Sequence, residues 1–192
     1  MPKLGMEPLR RAALVEATIA EIGHEGSLDV TVGKIAKRAG VSSGLAHHYF
    51  GGKDDLFLAA MAHILAGFRD EVRAELRGAH SPRARLEALI RASFAPSCFE
   101  PQTIAAWLNF YVMAQTSPRA EHLLQIYQAR LRSNLRHALR GLTHRPEASA
   151  ETLAALIDGH YLRQALRAGA LGAGEATRLT LQALDDMLES DR

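Results

Sequence analysis

The sequence predicts an all-α protein: a three-helix N-terminal helix-turn-helix module joined by a long helix to a larger C-terminal helical bundle. Three observations predict it. Apolar residues step by three and four along nearly the whole chain, and no segment alternates with the period of two that a strand requires. Pro and Gly fall between these stretches, where they end one helix or open the next. Within residues 31–53 two short stepped segments flank a turn containing glycine, the sequence form of a helix-turn-helix.

The elements follow in order. Ala12, Val15, Ile19 and Ile22 mark a first helix over 7–23, with Gly23 and Gly26 expected to stop it. Thr31 is placed to cap a second helix carrying Val32, Ile35, Ala36 and Ala39, which ends at Gly40. Ser42–Ser43 open a third, which runs to Tyr49–Phe50. A long helix over about 53–76 shows the stripe Phe57, Met61, Ile64, Phe68, Val72, and Asp54 and Asp55 suit its N-terminal dipole. Its length lets it serve two domains at once. Ser81-Pro82 starts the next helix, with Pro where its missing N–H costs little. Further helices are expected over 101–116, 118–142, 149–169 and 174–190.

Composition narrows the class. At 192 residues, 47% hydrophobic and 23% charged, the chain is globular and not disordered. Its apolar runs fall far short of the roughly 20 residues that span a bilayer, so no membrane partner is expected. The N-terminal residues carry no apolar signal segment, and the expected location is cytoplasmic. One cysteine, Cys98, permits neither an intrachain disulfide nor a cysteine-based zinc site.

Net charge is +2, yet between Thr31 and Lys53 stand Lys34, Lys37, Arg38 and Lys53 with no Asp or Glu. A one-sign window of this kind favours phosphate. In a helix-turn-helix the start of the second helix meets base edges and its flanks meet the backbone. Ser42, Ser43, Gly44, His47 and His48 would face the groove; Tyr49 and Lys53, with Lys34 and the N–H groups after Thr31, would hold phosphate. Adjacent His47 and His48 point about 100° apart on a helix and cannot chelate one ion from one face, so no metal is expected.

The run GVSSGLAHHYFGGKDDL resembles the helix-turn-helix signature of TetR-family transcriptional repressors. That family commonly carries Tyr where this chain has His47, which makes Tyr49 the phosphate-binding phenol here. MPKLGM at the start, SGLAHHYF, AAWLNFYVMA at 105–114 and LAALIDGHYLRQAL at 153–166 are similar to the BetI-type branch, the choline-sensing repressors of glycine betaine synthesis. The resemblance implies a repressor bound to palindromic double-stranded operator DNA as a homodimer, with a small-molecule effector, choline or a related quaternary ammonium. It implies a DNA-binding domain over 1–52 and a ligand-binding and dimerisation domain over 53–192. A repressor of the same family for another organic cation or hydrophobic molecule is the alternative.

Trp107, Phe110 and Tyr111 fall at i, i+3 and i+4 and share one helical face. A quaternary ammonium cannot donate a hydrogen bond, so aromatic faces and a carboxylate must recognise it. Phe99, Tyr127 and Tyr161 are further ring candidates, and Asp158 and Glu100 are candidate counter-charges. Two readings stay open: the aromatic stripe serves as core or as cage, and Asp158 pairs with an Arg such as Arg132 or Arg136 or faces a ligand. Ala155, Gly159, Leu162, Leu166 and Gly169 form a face of small and aliphatic residues suited to a dimer, as does the stripe at Leu131 and Leu135. No nucleotide-binding loop, zinc-protease motif or nucleophile–base spacing appears, so the chain is not expected to be an enzyme and no cofactor is expected.

Overall fold

A computed structural model describes residues 5–166 and 171–191. Met1–Leu4 of the MPKLGM segment, and Gly169 of the expected dimer face, lie outside the described residues. The described residues form α1 (Met6–Glu25), α2 (Val32–Arg38), α3 (Ser43–Phe50), α4 (Lys53–Leu76), α5 (Pro82–Ser93), α6 (Pro101–Ala114), α7 (Pro118–Leu139), α8 (Pro146–Ala165) and α9 (Ala173–Ser190). No strand occurs among them.

Packing divides the chain into two compact units. The first holds α1, α2, α3 and α4 as far as Ile64, together with Pro101–Glu121, which brings in α6. The second holds Leu65–Glu100 and the chain from His122 onward, with the rest of α4, α5, most of α7, α8 and α9.

In the first unit α1 packs against both α2 and α6, and α2 against α3. The buried apolar residues include Leu14, Val15 and Ile22 of α1, Ile35 and Ala36 of α2, Ala46 of α3, and Leu56, Phe57 and Met61 of α4. Gly23 does not stop α1, contrary to the sequence expectation. The helix continues to Glu25, and Gly26 caps it in the left-handed conformation, its N–H donating to the Ile22 carbonyl at 2.8 Å. Gly23 serves packing instead. A Cβ there would lie 2.8 Å from Cα of Gln102, so glycine lets α6 approach α1.

The turn between α2 and α3 requires its glycine. Gly40 has φ 68°, where a side chain would be strained, and Val41 N–H closes the turn onto the Ala36 carbonyl at 3.0 Å. Thr31 caps α2 as expected, and Ser42, where α3 was expected to open, caps α3; their hydroxyl oxygens accept from the N–H groups of Lys34 and Leu45. Ser81 caps α5 in the same way through Ala84 N–H.

In the second unit α9 packs against α5 and α8. Leu131 and Leu135 of α7 are 4% and 0% exposed within the single chain. They are core, and the expectation that they form a dimer face is corrected: side chains already sealed in one protomer cannot meet another. On α8 the outcome differs. Leu162 and Leu166 are 47% and 62% exposed, and Ala155 of the same face is exposed as well.

Candidate nucleic-acid interface and effector cluster

α3 has two distinct faces. Ser43, Gly44, His47 and His48 are exposed, spaced so that 43 stacks on 47 and 44 on 48. Ala46 is fully buried on the other side, with Leu45, Tyr49 and Phe50 half-buried. The exposed face carries hydroxyl, imidazole and bare backbone, and no acidic residue lies in the first turn. Such a face can offer both donors and acceptors to base edges.

His47 is tied back: its Nδ1 lies 3.1 Å from the Gly51 carbonyl oxygen. A carbonyl can only accept, so Nδ1 donates in this contact. His48 packs obliquely on Tyr49, with ring centroids 5.6 Å apart.

Arg11 of α1 clamps the end of α3. Its guanidinium donates to the Tyr49 carbonyl and sits 4.7 Å from the Phe50 ring centre and 5.6 Å from that of Tyr49. Sequence reasoning missed Arg11 because no local spacing connects it to α3.

The basic window is less positive than its sequence suggests. Lys34 Nζ pairs with Glu25 at 2.7 Å, and Arg38 pairs with the buried Glu21, both acids arriving from α1. The Lys34 hydrogen bond holds the Glu25 carboxyl below its usual range, and the same bond raises the Lys34 ammonium. Lys37 is exposed. Lys53, half-buried, holds its ammonium 5.5 Å from the Phe57 ring centre.

The candidate effector residues fall in both units. In the first, Trp107 and Phe110 of α6 are 5% and 1% exposed and meet edge to face at 6.1 Å. Tyr111, half-buried, lies 5.7 Å from Trp107, so the shared face read from the sequence is present. In the second unit Phe94, Phe99 and Tyr161 form a tight group: Phe94–Phe99 at 5.5 Å, Phe99–Tyr161 at 5.2 Å and Phe94–Tyr161 at 6.2 Å. Phe94 and its neighbour His160, whose rings meet at 5.5 Å, were not singled out from sequence. The Tyr161 hydroxyl donates to the Ser93 carbonyl at 2.5 Å. Tyr127 instead meets Phe68 of α4 at 5.7 Å. Asp158 is half-buried and Glu100 exposed. Arg132 pairs with Glu151 at 3.3 Å.

Cys98 is buried, and burial pushes its thiol up to about 11. It stays protonated at neutral pH and is a poor nucleophile. Among the described residues no helix is long and apolar enough to cross a membrane.

A capped and clamped helix-turn-helix with a polar outer face defines a DNA-binding protein. The chain belongs to the tetR family of bacterial regulatory proteins, whose profile matches residues 14–60, and residues 82–189 match the BetI-type transcriptional repressor C-terminal domain. It is 53% identical over 181 residues to the HTH-type transcriptional regulator BetI of Brucella anthropi, covering 93% of each chain. With the regulator of that name from Agrobacterium fabrum it shares 49% over 192 residues, covering 99% of this chain and 93% of the relative. A putative transcriptional regulator from Pseudomonas aeruginosa PAO1 superposes with TM-score 0.81 at 27% identity, over 96% of this chain and 95% of that one. A putative transcriptional regulator from Saccharomonospora viridis, solved in complex with choline, shares the fold at TM-score 0.81 and 20% identity, over 91% and 95% of the two chains. The protein is therefore a TetR-family transcriptional repressor of the BetI type. TetR regulators bind operator DNA and small-molecule effectors and are typically dimers.

Proposed function

We propose that this repressor controls genes for converting choline to glycine betaine, binds a palindromic operator as a homodimer, and responds to choline or its aldehyde. The observation that carries the effector reading is the buried Phe94–Phe99–Tyr161 group in the BetI-type part of the chain. Ring faces attract a quaternary ammonium that no hydrogen-bond acceptor can hold. Asp158 on α8 and Glu100 beside Phe99 supply candidate counter-charges. The S. viridis regulator of the same fold holds choline.

On the DNA side, Ser43 and His48 read bases, with Ser42, Gly44 and His47 on the groove side. Tyr49, Lys53, Lys34 and the α2 start at Thr31 meet phosphate. Lys34 would exchange Glu25 for phosphate to do so. Two copies associate through the α8 face at Ala155, Gly159, Leu162 and Leu166, whose exposed leucines are costly to leave in water. Two reading helices must then sit about 34–36 Å apart, one turn of DNA, to engage both half-sites. Effector binding changes occupancy only through its different affinity for the DNA-competent and released states. Phe99 stands just ahead of Pro101, where α6 begins, and α6 packs on α1. Ligand contact with Phe99 thus has a short covalent route to the helices that carry α3.

Footprinting on the DNA upstream of the protein's own gene, with and without choline, tests the proposal. Protection of an inverted repeat that choline relieves is expected. Protection unaffected by choline, its aldehyde and glycine betaine, but relieved by an uncharged analogue, would overturn the effector.

A further inference from the structure

Two side-chain atoms in the second unit are buried without a hydrogen-bond partner among the described residues: Nε2 of His160 and Oε1 of Gln164. His160 is 7% exposed. Both residues lie on α8 one turn apart, so they stack on one face. That face adjoins the aromatic group, since His160 meets Phe94 edge to face at 5.5 Å and Tyr161 follows it directly. Polar atoms sealed from water without partners are uncommon in folded proteins and destabilise them. Two of them on one face, beside rings suited to a cation, indicate a polar group that belongs to a bound molecule.

We infer that His160 and Gln164 read the hydroxyl of a quaternary ammonium alcohol whose trimethylammonium end lies against Phe94, Phe99 and Tyr161. This assignment rests on the choline-type reading above and specifies how that effector is told from its relatives. The chemistry matches atom for atom. Gln164 Oε1 is an acceptor only and takes the hydroxyl proton; His160 Nε2, in the tautomer that carries hydrogen there, donates to the hydroxyl oxygen. The Tyr161 phenol is committed to the Ser93 carbonyl, which leaves its ring rather than its hydroxyl for the ligand. A carboxylate in place of the alcohol offers acceptors alone and would face Gln164 Oε1 without a proton between them. Glycine betaine is therefore bound more weakly than choline. Burial, and secondarily the Arg163 guanidinium, push the His160 imidazole below its usual range, so at neutral pH it adds no positive charge against the cation.

The test is calorimetric titration of the full-length protein with choline, propyltrimethylammonium (the hydroxyl replaced by methyl) and glycine betaine, repeated on His160→Phe and Gln164→Leu. Wild type should bind choline roughly tenfold more tightly than propyltrimethylammonium, the worth of one or two neutral hydrogen bonds, and glycine betaine more weakly still. Each variant should lose most of that ratio by weakening choline while propyltrimethylammonium binds as before. Gln164→Leu removes an unpartnered buried oxygen and should fold at least as stably as wild type, which keeps the test open if His160→Phe folds poorly. A choline-to-propyltrimethylammonium ratio that survives Gln164→Leu would overturn the assignment while leaving choline as the effector. Wild-type protein that binds neither ammonium would overturn the effector reading and this inference with it.

Discussion

Replacing Gly23 with Ala tests whether the contact between α1 and α6 governs the DNA-binding unit. The new Cβ would stand 2.8 Å from Cα, Cβ and Cγ of Gln102, where carbon atoms prefer about 3.5–4.0 Å. Because one of these atoms is backbone, no rotamer change relieves the clash, and the helices must part by about 1 Å. Overpacking of this kind costs about 1–3 kcal/mol, while Ala in a helix interior recovers about 0.5–1 kcal/mol relative to Gly. The net loss is about 0–2.5 kcal/mol and centres near 1.3 kcal/mol, a fall of roughly 3–5 °C in melting temperature at that centre for a chain of this size at fixed protein concentration. Trp107 is the single tryptophan and is buried in α6, so its emission reports on the surroundings of that helix. Operator affinity should fall too, since α1 holds α3 through Arg11 and α2 through Glu21. A variant as stable as wild type, with unshifted Trp107 emission and unchanged operator binding, would refute the reasoning.

Lys53→Ala should weaken binding to all DNA sequences and lower the slope of log affinity against log salt by about one. Ser43→Ala or His48→Ala should instead relax sequence preference, by about 1–3 kcal/mol where a good base contact is lost; competition binding against operator and random DNA separates the two effects. Leu162→Glu should turn the dimer into a monomer in sedimentation at micromolar concentration, whereas a persistent dimer would place the interface elsewhere. Because the folded state holds the His160 pKa below its unfolded value, stability should be unaffected above the unfolded value of about 6.5 and decline as pH falls below it. The decline should continue until the folded protein also takes up the proton. His160→Phe should flatten that part of a melting-temperature profile between pH 7 and 5.

Features set by neighbours in sequence were legible before the structure. Thr31 caps the helix that follows because a cap needs a hydroxyl and an N–H three residues on, and the helix starts expected at Ser42 and Ser81 are found there, each with a serine cap. The shared face of Trp107, Phe110 and Tyr111 follows from helical spacing alone. Long-range pairing was not legible. Glu25 and Glu21 neutralise Lys34 and Arg38 across a turn, and no count within a window could include them. Gly23 looked like a stop signal because glycine ends helices and also admits close neighbours, and the neighbour here is Gln102. Leu131 and Leu135 had the spacing of an apolar face, but spacing does not say whether the face meets its own chain or another. His160 and Gln164 carried no signal, since only burial distinguishes them from ordinary polar helix residues.

The insertion of Pro101–Glu121 into the first unit bears on how the protein is made and dissected. During synthesis α1, α2 and α3 leave the ribosome well before α6 exists, so the face of α1 around Gly23 must remain uncovered until the chain has been extended past residue 114. Closing so distant a contact lengthens the mean loop that folding must order, which slows folding relative to a bundle of sequential helices. A fragment cut after Ile64 keeps every residue of the reading motif yet lacks the helix that covers α1. Such a fragment should be poorly folded and prone to associate, and transplanting this reading head onto another protein would require α6 to travel with it.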